Sequence, residues 1–130
     1  MIAGLDHVQF TLPPGGEVAA RAFYADVLGL AETPKPPALA ARGGVWFALA
    51  DGRQLHLGVE HPFRPNAKAH AALAVADGAL DALAERLAAA GHPVQWDDAP
   101  AGRRRFYTRD PFGNRVELTV PAGGASAPPG

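Results

Sequence analysis

The chain carries the same order of elements twice. Residues 5–59 and residues 69–120 each read as an alternating strand, an amphipathic helix closed by glycine, then up to three short strands. The period is about sixty residues, longer than a solenoid unit, which points to a duplicated half-domain. In the first half, Leu5–Leu12 sets Val8, Phe10 and Leu12 against His7, Gln9 and Thr11. Pro13-Pro14-Gly15-Gly16 breaks that strand. A helix is predicted over Glu17–Leu28, with a stripe of Ala19, Phe23, Val27 and Leu30 and a stop at Gly29. Thr33–Pro37 reads as a loop or irregular edge. Val45–Leu49 and Gln54–Val59 form a hairpin around Asp51-Gly52, and 61–66 is a linker. The second half predicts a strand over Ala69–Ala76 and a helix over Gly78–Ala90 capped by Asp77 and ended by Gly91. That helix carries Leu80, Leu83 and Leu87. Short strands follow at Pro93–Trp96, Arg104–Arg109 and Arg115–Val120, with a turn at Asp110–Asn114.

Composition narrows what the repeat can be. With 130 residues, 48% hydrophobic and 19% charged, the chain can bury a core as one domain of two paired halves. The expected domain is 1–121, with one module over 1–62 and another over 67–121. Residues 122–130 are small, Pro/Gly-rich and uncharged, and read as a flexible tail. A net charge of −1 argues against nucleic acid or an anionic membrane as partner. The lack of cysteine excludes disulfides, thiolate nucleophiles and Cys-type metal sites. No signal-peptide pattern and no membrane span of about 20 apolar residues is present, so a cytoplasmic location is expected.

The repeat aligns four potential ligands. His7 and His70 lie 63 residues apart on the two first strands; His56 and Glu117 lie 61 apart on the two last strands. Each stands on the face opposite the more apolar side. If each sheet packs its helix on the apolar face, the other faces are free to line a cavity with His7, His56, His70 and Glu117. Three imidazoles and a carboxylate suit zinc, iron, manganese, nickel or cobalt, and an open coordination position would allow Lewis-acid chemistry. The competing reading is four unrelated polar residues on solvated sheet faces.

The runs LDHVQFTLP, AFYADVLGL, LHLG, AHAALAVAD and DPFGNRVEL, in that order, resemble the vicinal oxygen chelate superfamily, the group of glyoxalases, bleomycin-resistance proteins and extradiol dioxygenases. The likeness covers nearly the whole chain except the tail. It implies an α+β fold of two βαβββ modules whose mixed sheets make a U-shaped cup around a divalent metal. It also implies that His7, His70 and Glu117 occupy the three usual ligand positions and His56 a fourth. Glyoxalase I usually has a carboxylate at that fourth place, able to act as base, so the histidine is a departure. A further departure is DPFGNR in place of the commoner DPDGN turn. The family commonly dimerises, so a homodimer is expected.

Other residues bear on substrate. Alternation puts Arg105 and Tyr107 on one face and Phe106 on the other. With Phe106 in the core, Tyr107 faces the cavity and can donate a hydrogen bond to a substrate oxygen; related transferases carry a tyrosine there. Arg105, in Arg103-Arg104-Arg105, is either an edge charge or a fork for a substrate carboxylate or phosphonate. Arg115 can pair with Glu117 or with substrate. Gln9 and Gln54 can bind substrate or orient a ligand, and one of Trp46 and Phe47 can line the pocket. His61 and His92 read as ordinary loop residues. Two functions fit. One is a metal-dependent enzyme acting on a small substrate through neighbouring oxygens, with Glu117, His56 and Tyr107 as catalytic candidates. The other is a metal-free small-molecule or drug-binding protein of the bleomycin-resistance type. A metal-binding protein that has lost catalysis is a third possibility.

Overall fold

The structure, a computed structural model, describes residues 1–99 and 102–121; the expected tail falls outside them. It divides into two compact units, the first Met1–Pro65 and the second beginning at Asn66.

The first unit contains β1 (His7–Leu12), α1 (Glu17–Ala20) running straight into a π-helical segment (Arg21–Val27), β2 (Ala31–Thr33), α2 (Pro37–Ala40), β3 (Val45–Ala48) and β4 (Gln54–Val59). Its sheet has the order β1-β4-β3-β2, with β1 and β4 parallel and the other pairs antiparallel. A parallel pair needs a crossover, which the helical segment between β1 and β2 begins. The second unit contains β5 (Ala71–Ala74), α3 (Leu80–Ala89), β6 (Gln95–Trp96), β7 (Arg105–Arg109) and β8 (Arg115–Thr119). Its order, β5-β8-β7-β6, repeats the first sheet, again with one parallel pair. The fold is thus α+β, two mixed four-stranded sheets of βαβββ type.

The registers match as well as the order. Gln9 pairs with His56 in the first sheet and Ala72 with Glu117 in the second. Trp46 stands beside His56 on β3, and Tyr107 beside Glu117 on β7. The 63- and 61-residue offsets are therefore structural equivalences. One face of each sheet carries the core: Phe47, Leu55 and Leu57 in the first unit and Phe106, Val116 and Leu118 in the second are almost wholly buried.

The helices depart from the predicted pattern. The expected Glu17–Leu28 helix winds more widely after Ala20, and the Leu28 amide donates to the Phe23 carbonyl five residues back. The wider turn brings adjacent Phe23 and Tyr24 into the core together. Their rings meet edge to face at 4.8 Å, and Tyr24 reaches Phe47 at 5.6 Å. The buried stripe is consequently Ala20, Phe23 and Tyr24, with Ala19, Val27 and Leu30 only partly covered. In α3 the buried residues are Leu80, Ala84 and Leu87, and Leu83 sits at the boundary. Asp77 does not cap α3: the cap position is Ala79, and no side chain bonds to the helix start. Thr33–Pro37 was expected to be irregular. It contains the end of edge strand β2 and the start of α2, whose first residue is Pro37, a position where proline's missing N–H costs nothing.

One joint ties α1 to β3. The Gly44 amide donates to Glu17 Oε2 at 2.8 Å. Gly44 has φ +86°, and a Cβ there would lie 2.3 Å from the Leu57 carbonyl oxygen on β4. Gly44→Ala should therefore cost more than about 2 kcal/mol in urea unfolding, from combined left-handed strain and backbone overlap. The same hydrogen bond, together with Glu17's own amide, holds the Glu17 pKa below its ordinary value of 4.5. The unfolded chain then protonates first as pH falls. Glu17's contribution is present above the unfolded value and is lost as pH drops through the lowered folded one. Glu17→Gln, which keeps an acceptor but no charge, should flatten that part of the acid limb of a stability–pH curve.

Candidate functional site: two paired half-sites

In the first unit, the face of the sheet opposite the core carries an aromatic stack. His56 on β4 lies against Trp46 on β3, with centroids 3.9 Å apart and planes within 2°. On its other side is His7 of β1, at 4.4 Å and 20°. The parallel register makes this possible, because it sets His7 one diagonal step from His56. His56 is only 7% exposed, although it lies on the face expected to be open. Burial, with His7 and Lys35 nearby, pushes the His56 pKa down against a smaller opposing effect from Asp6, so the ring is neutral near pH 7.

Hydrogen bonds assign the tautomers. His56 Nε2 is 2.8 Å from Gln54 Oε1, which can only accept, so Nε2 carries the hydrogen and Nδ1 the lone pair. His7 Nδ1 is 2.9 Å from Asp6 Oδ2, which in the neutral form of the ring leaves His7 Nε2 with the lone pair. Gln9 lies beside His56 in register and packs against Gly58, where a Cβ would come within 3.0 Å of its amide nitrogen.

In the second unit, His70 immediately precedes β5. Its Nε2 is 2.9 Å from Glu117 Oε1, and its Nδ1 is 3.0 Å from the Lys68 carbonyl oxygen. That carbonyl can only accept, so Nδ1 holds the ring hydrogen of the neutral form. Nε2 then presents a lone pair to a carboxylate oxygen. Two acceptors at 2.9 Å require a cation between or on them, either a proton or a metal ion. The Glu117 side chain is 6% exposed, so water does little to satisfy it. Its second oxygen receives a long contact of 3.5 Å from Arg105 Nη1, and Arg105 Nη2 is held by Asp97 at 2.9 Å. Tyr107 meets His70 edge-on at 5.4 Å, with the Arg115 guanidinium 3.9 Å above its ring and that of Arg105 at 5.4 Å.

The structure thus pairs the four candidate ligands as His7 with His56 and His70 with Glu117. Among the described residues no group of three or more His, Cys, Asp or Glu side chains is close enough to hold a metal. Arg105 and Tyr107 share a face opposite buried Phe106, as alternation requires. Arg115 stacks on Tyr107 instead of pairing with Glu117, and Gln54 is engaged by His56. Three supporting groups were not anticipated. Asp6 was legible as the acid preceding a histidine. Asp97 and the Lys68 carbonyl act through a loop and a backbone oxygen, which no residue pattern announces.

Because burial is the main cause of the lowered His56 pKa, Trp46→Ala should raise it towards the ordinary value. An NMR titration of the imidazole protons in metal-free protein checks this. An unchanged or lower pKa would mean that the stack does not shield the ring.

The comparisons agree with this fold. The family model described as the Glyoxalase/Bleomycin resistance protein/Dioxygenase superfamily matches residues 4–118. A glyoxalase family protein from Bacillus anthracis is 42% identical, with a TM-score of 0.87 over 92% of this chain and 96% of that one. Lactoylglutathione lyase from Agrobacterium tumefaciens is 26% identical, with a TM-score of 0.72 over 97% of this chain and 100% of the other. The fosfomycin resistance protein of Listeria monocytogenes, solved with Mn(II) and sulfate, shares the fold at 19% identity, with a TM-score of 0.73 over 95% and 94% of the two chains. No curated protein matches. Since the family model spans nearly the whole chain and both sheets repeat one register, the protein belongs to the glyoxalase, bleomycin-resistance and dioxygenase superfamily.

Proposed function

We propose that this protein is a divalent-metal-dependent enzyme acting on a small, oxygen-rich substrate through two neighbouring oxygens. The observation that carries the reading is the His70–Glu117 contact at 2.9 Å, an imidazole oriented by a backbone carbonyl against a buried carboxylate. Oriented imidazole and buried carboxylate are a donor set that fits zinc, iron, manganese, nickel or cobalt. His7 is the third proposed ligand, through its bare Nε2, and His56 the candidate fourth, through Nδ1. Three protein ligands require both half-sites to contribute to one centre, within one chain or across a homodimer, and a homodimer is part of the proposal. The relative solved with Mn(II) is consistent with metal use in this fold.

When bound, the metal would supply Lewis-acid stabilisation of negative charge developing on substrate oxygens. The chain's own groups do the rest. The Tyr107 hydroxyl donates to a substrate oxygen, with Arg115 over its ring stabilising that charge. His56, neutral and buried, can accept a proton at Nδ1 and return it, while Glu117 is the carboxylate alternative. Trp46 walls His56 from water, Gln54 accepts from it, Gln9 lies beside it in register, and Arg105 offers charge to an anionic substrate. Whether the reaction is isomerisation, oxygen insertion or group transfer depends on the substrate, because this superfamily hosts several chemistries on one fold.

The metal-free binding reading has one observation in its favour: the Trp46–His56–His7 stack is a ready aromatic surface. Elemental analysis of protein purified without a metal-affinity tag separates the two. About one equivalent of a transition metal per chain is expected, lost in the His7→Ala/Glu117→Ala double variant. Less than about a tenth of an equivalent, with no uptake on titration, would sink the enzyme reading. In a metal-binding protein, His56→Ala should weaken affinity by about 10-fold or more if His56 is a ligand or directly supports one.

A further inference from the structure

Cations crowd one face of the β7–β8 hairpin. Arg105, Tyr107 and Arg109 alternate along β7, and Arg115 and Glu117 share that face on β8. The ladder sets Arg109 directly opposite Arg115, and like charges so placed destabilise a strand pair. The nearby carboxylates are engaged elsewhere. Glu117 contacts His70 and Arg105, and Asp97 accepts from Arg105 and the Ala99 amide. Asp110 is buried and accepts from the Phe112 amide and from the amide and side chain of Asn114. Arg109 donates to the Gly113 carbonyl at 3.0 Å. Among the described residues the Arg115 guanidinium has no hydrogen-bond or ion-pair partner; it rests 3.9 Å over the Tyr107 ring.

Arg115 is nonetheless fixed in place. The Asn66 side chain donates to its carbonyl at 3.2 Å and accepts from its amide, while the Asn66 amide donates to Asn114 Oδ1 at 3.1 Å. Tyr107, which supports the guanidinium, meets His70 edge-on at 5.4 Å. Arg115 is half-buried, and none of its nitrogens is sealed from solvent. A guanidinium already oriented, open and unpaired binds an oxyanion with little ordering cost.

We propose that Arg115 is the specificity-determining residue of the second half-site, holding an oxyanion group, carboxylate or phosphoryl, of a small ligand, with Arg109 as the second cation. The role expected of Arg105 thereby passes to Arg115, because the terminal nitrogens of Arg105 are taken by Asp97 and Glu117. Naming the oxyanion as part of the substrate rests on the enzyme reading; its binding by the metal-free chain does not.

The test therefore uses the full chain stripped of metal with a chelator. Inorganic phosphate and acetate are titrated separately at constant ionic strength, and NMR follows the Arg115 Nε–H and Tyr107 ring signals. At least one anion should move both signals and saturate below about 50 mM, and the one that saturates first names the preferred group. Arg115→Gln should weaken binding about five-fold or more, since it removes both charge and fork. Arg104→Gln, which removes a cation tied to Asp81 on α3, should leave binding within about two-fold. No saturable shift with either anion would overturn the proposal. So would binding unchanged in a folded Arg115→Gln variant, or weakened as much by Arg104→Gln, which would mark it as an effect of overall charge.

Discussion

The parallel pairing of the first strand with the last in each unit is the constraint on which the rest depends. Ladder hydrogen bonds between β1 and β4, and between β5 and β8, join residues nearly fifty positions apart and fix their register. A slip of one residue would turn every side chain to the opposite face. Leu55 and Leu57 would leave the core, and His56 would leave Trp46 and His7. The apolar face pays the cost of holding that register, and the polar face inherits the geometry.

The joint at Glu17, Gly44 and Leu57 serves the same end. It pins the start of the helical segment to the start of β3, where the chain passes so close to β4 that no side chain fits. In the second unit the turn before β8 is held differently. Asp110 accepts from the amides of Phe112 and Asn114, and Asn66 bonds to Asn114 and Arg115 from the other side. Glu117 follows two residues later, so its strand enters the sheet from a rigid turn. The second unit thus restrains the entry of the strand that carries Glu117, and the first unit the entry of the strand that carries Trp46.

Much of this was legible in the amino-acid order. The period-2 alternation of β1, β4, β7 and β8 marked which residues share a face, and hydrophobic burial then decides which face is inner. The two offsets identified equivalent positions before any pairing was known. The helical region was less legible: an α-helical period was expected where Arg21–Val27 winds more widely. Burying adjacent Phe23 and Tyr24 outweighs the preference for regular winding, and that is a property of the core they enter. The cap expected at Asp77 failed for a similar reason. Capping depends on where the helix begins, and α3 begins three residues later.

The sequence by itself determined the duplicated βαβββ plan, the ligand candidates and the face each occupies, because strand periodicity and burial act locally along the chain. Only the tertiary structure decided what those candidates touch. It stacked His56 between Trp46 and His7, set His70 against Glu117 and turned Arg115 onto Tyr107. Those contacts join residues on different strands and loops. Their partners are chosen by register, rotamer and the need to satisfy buried polar groups, and none of these is written at any single position of the chain.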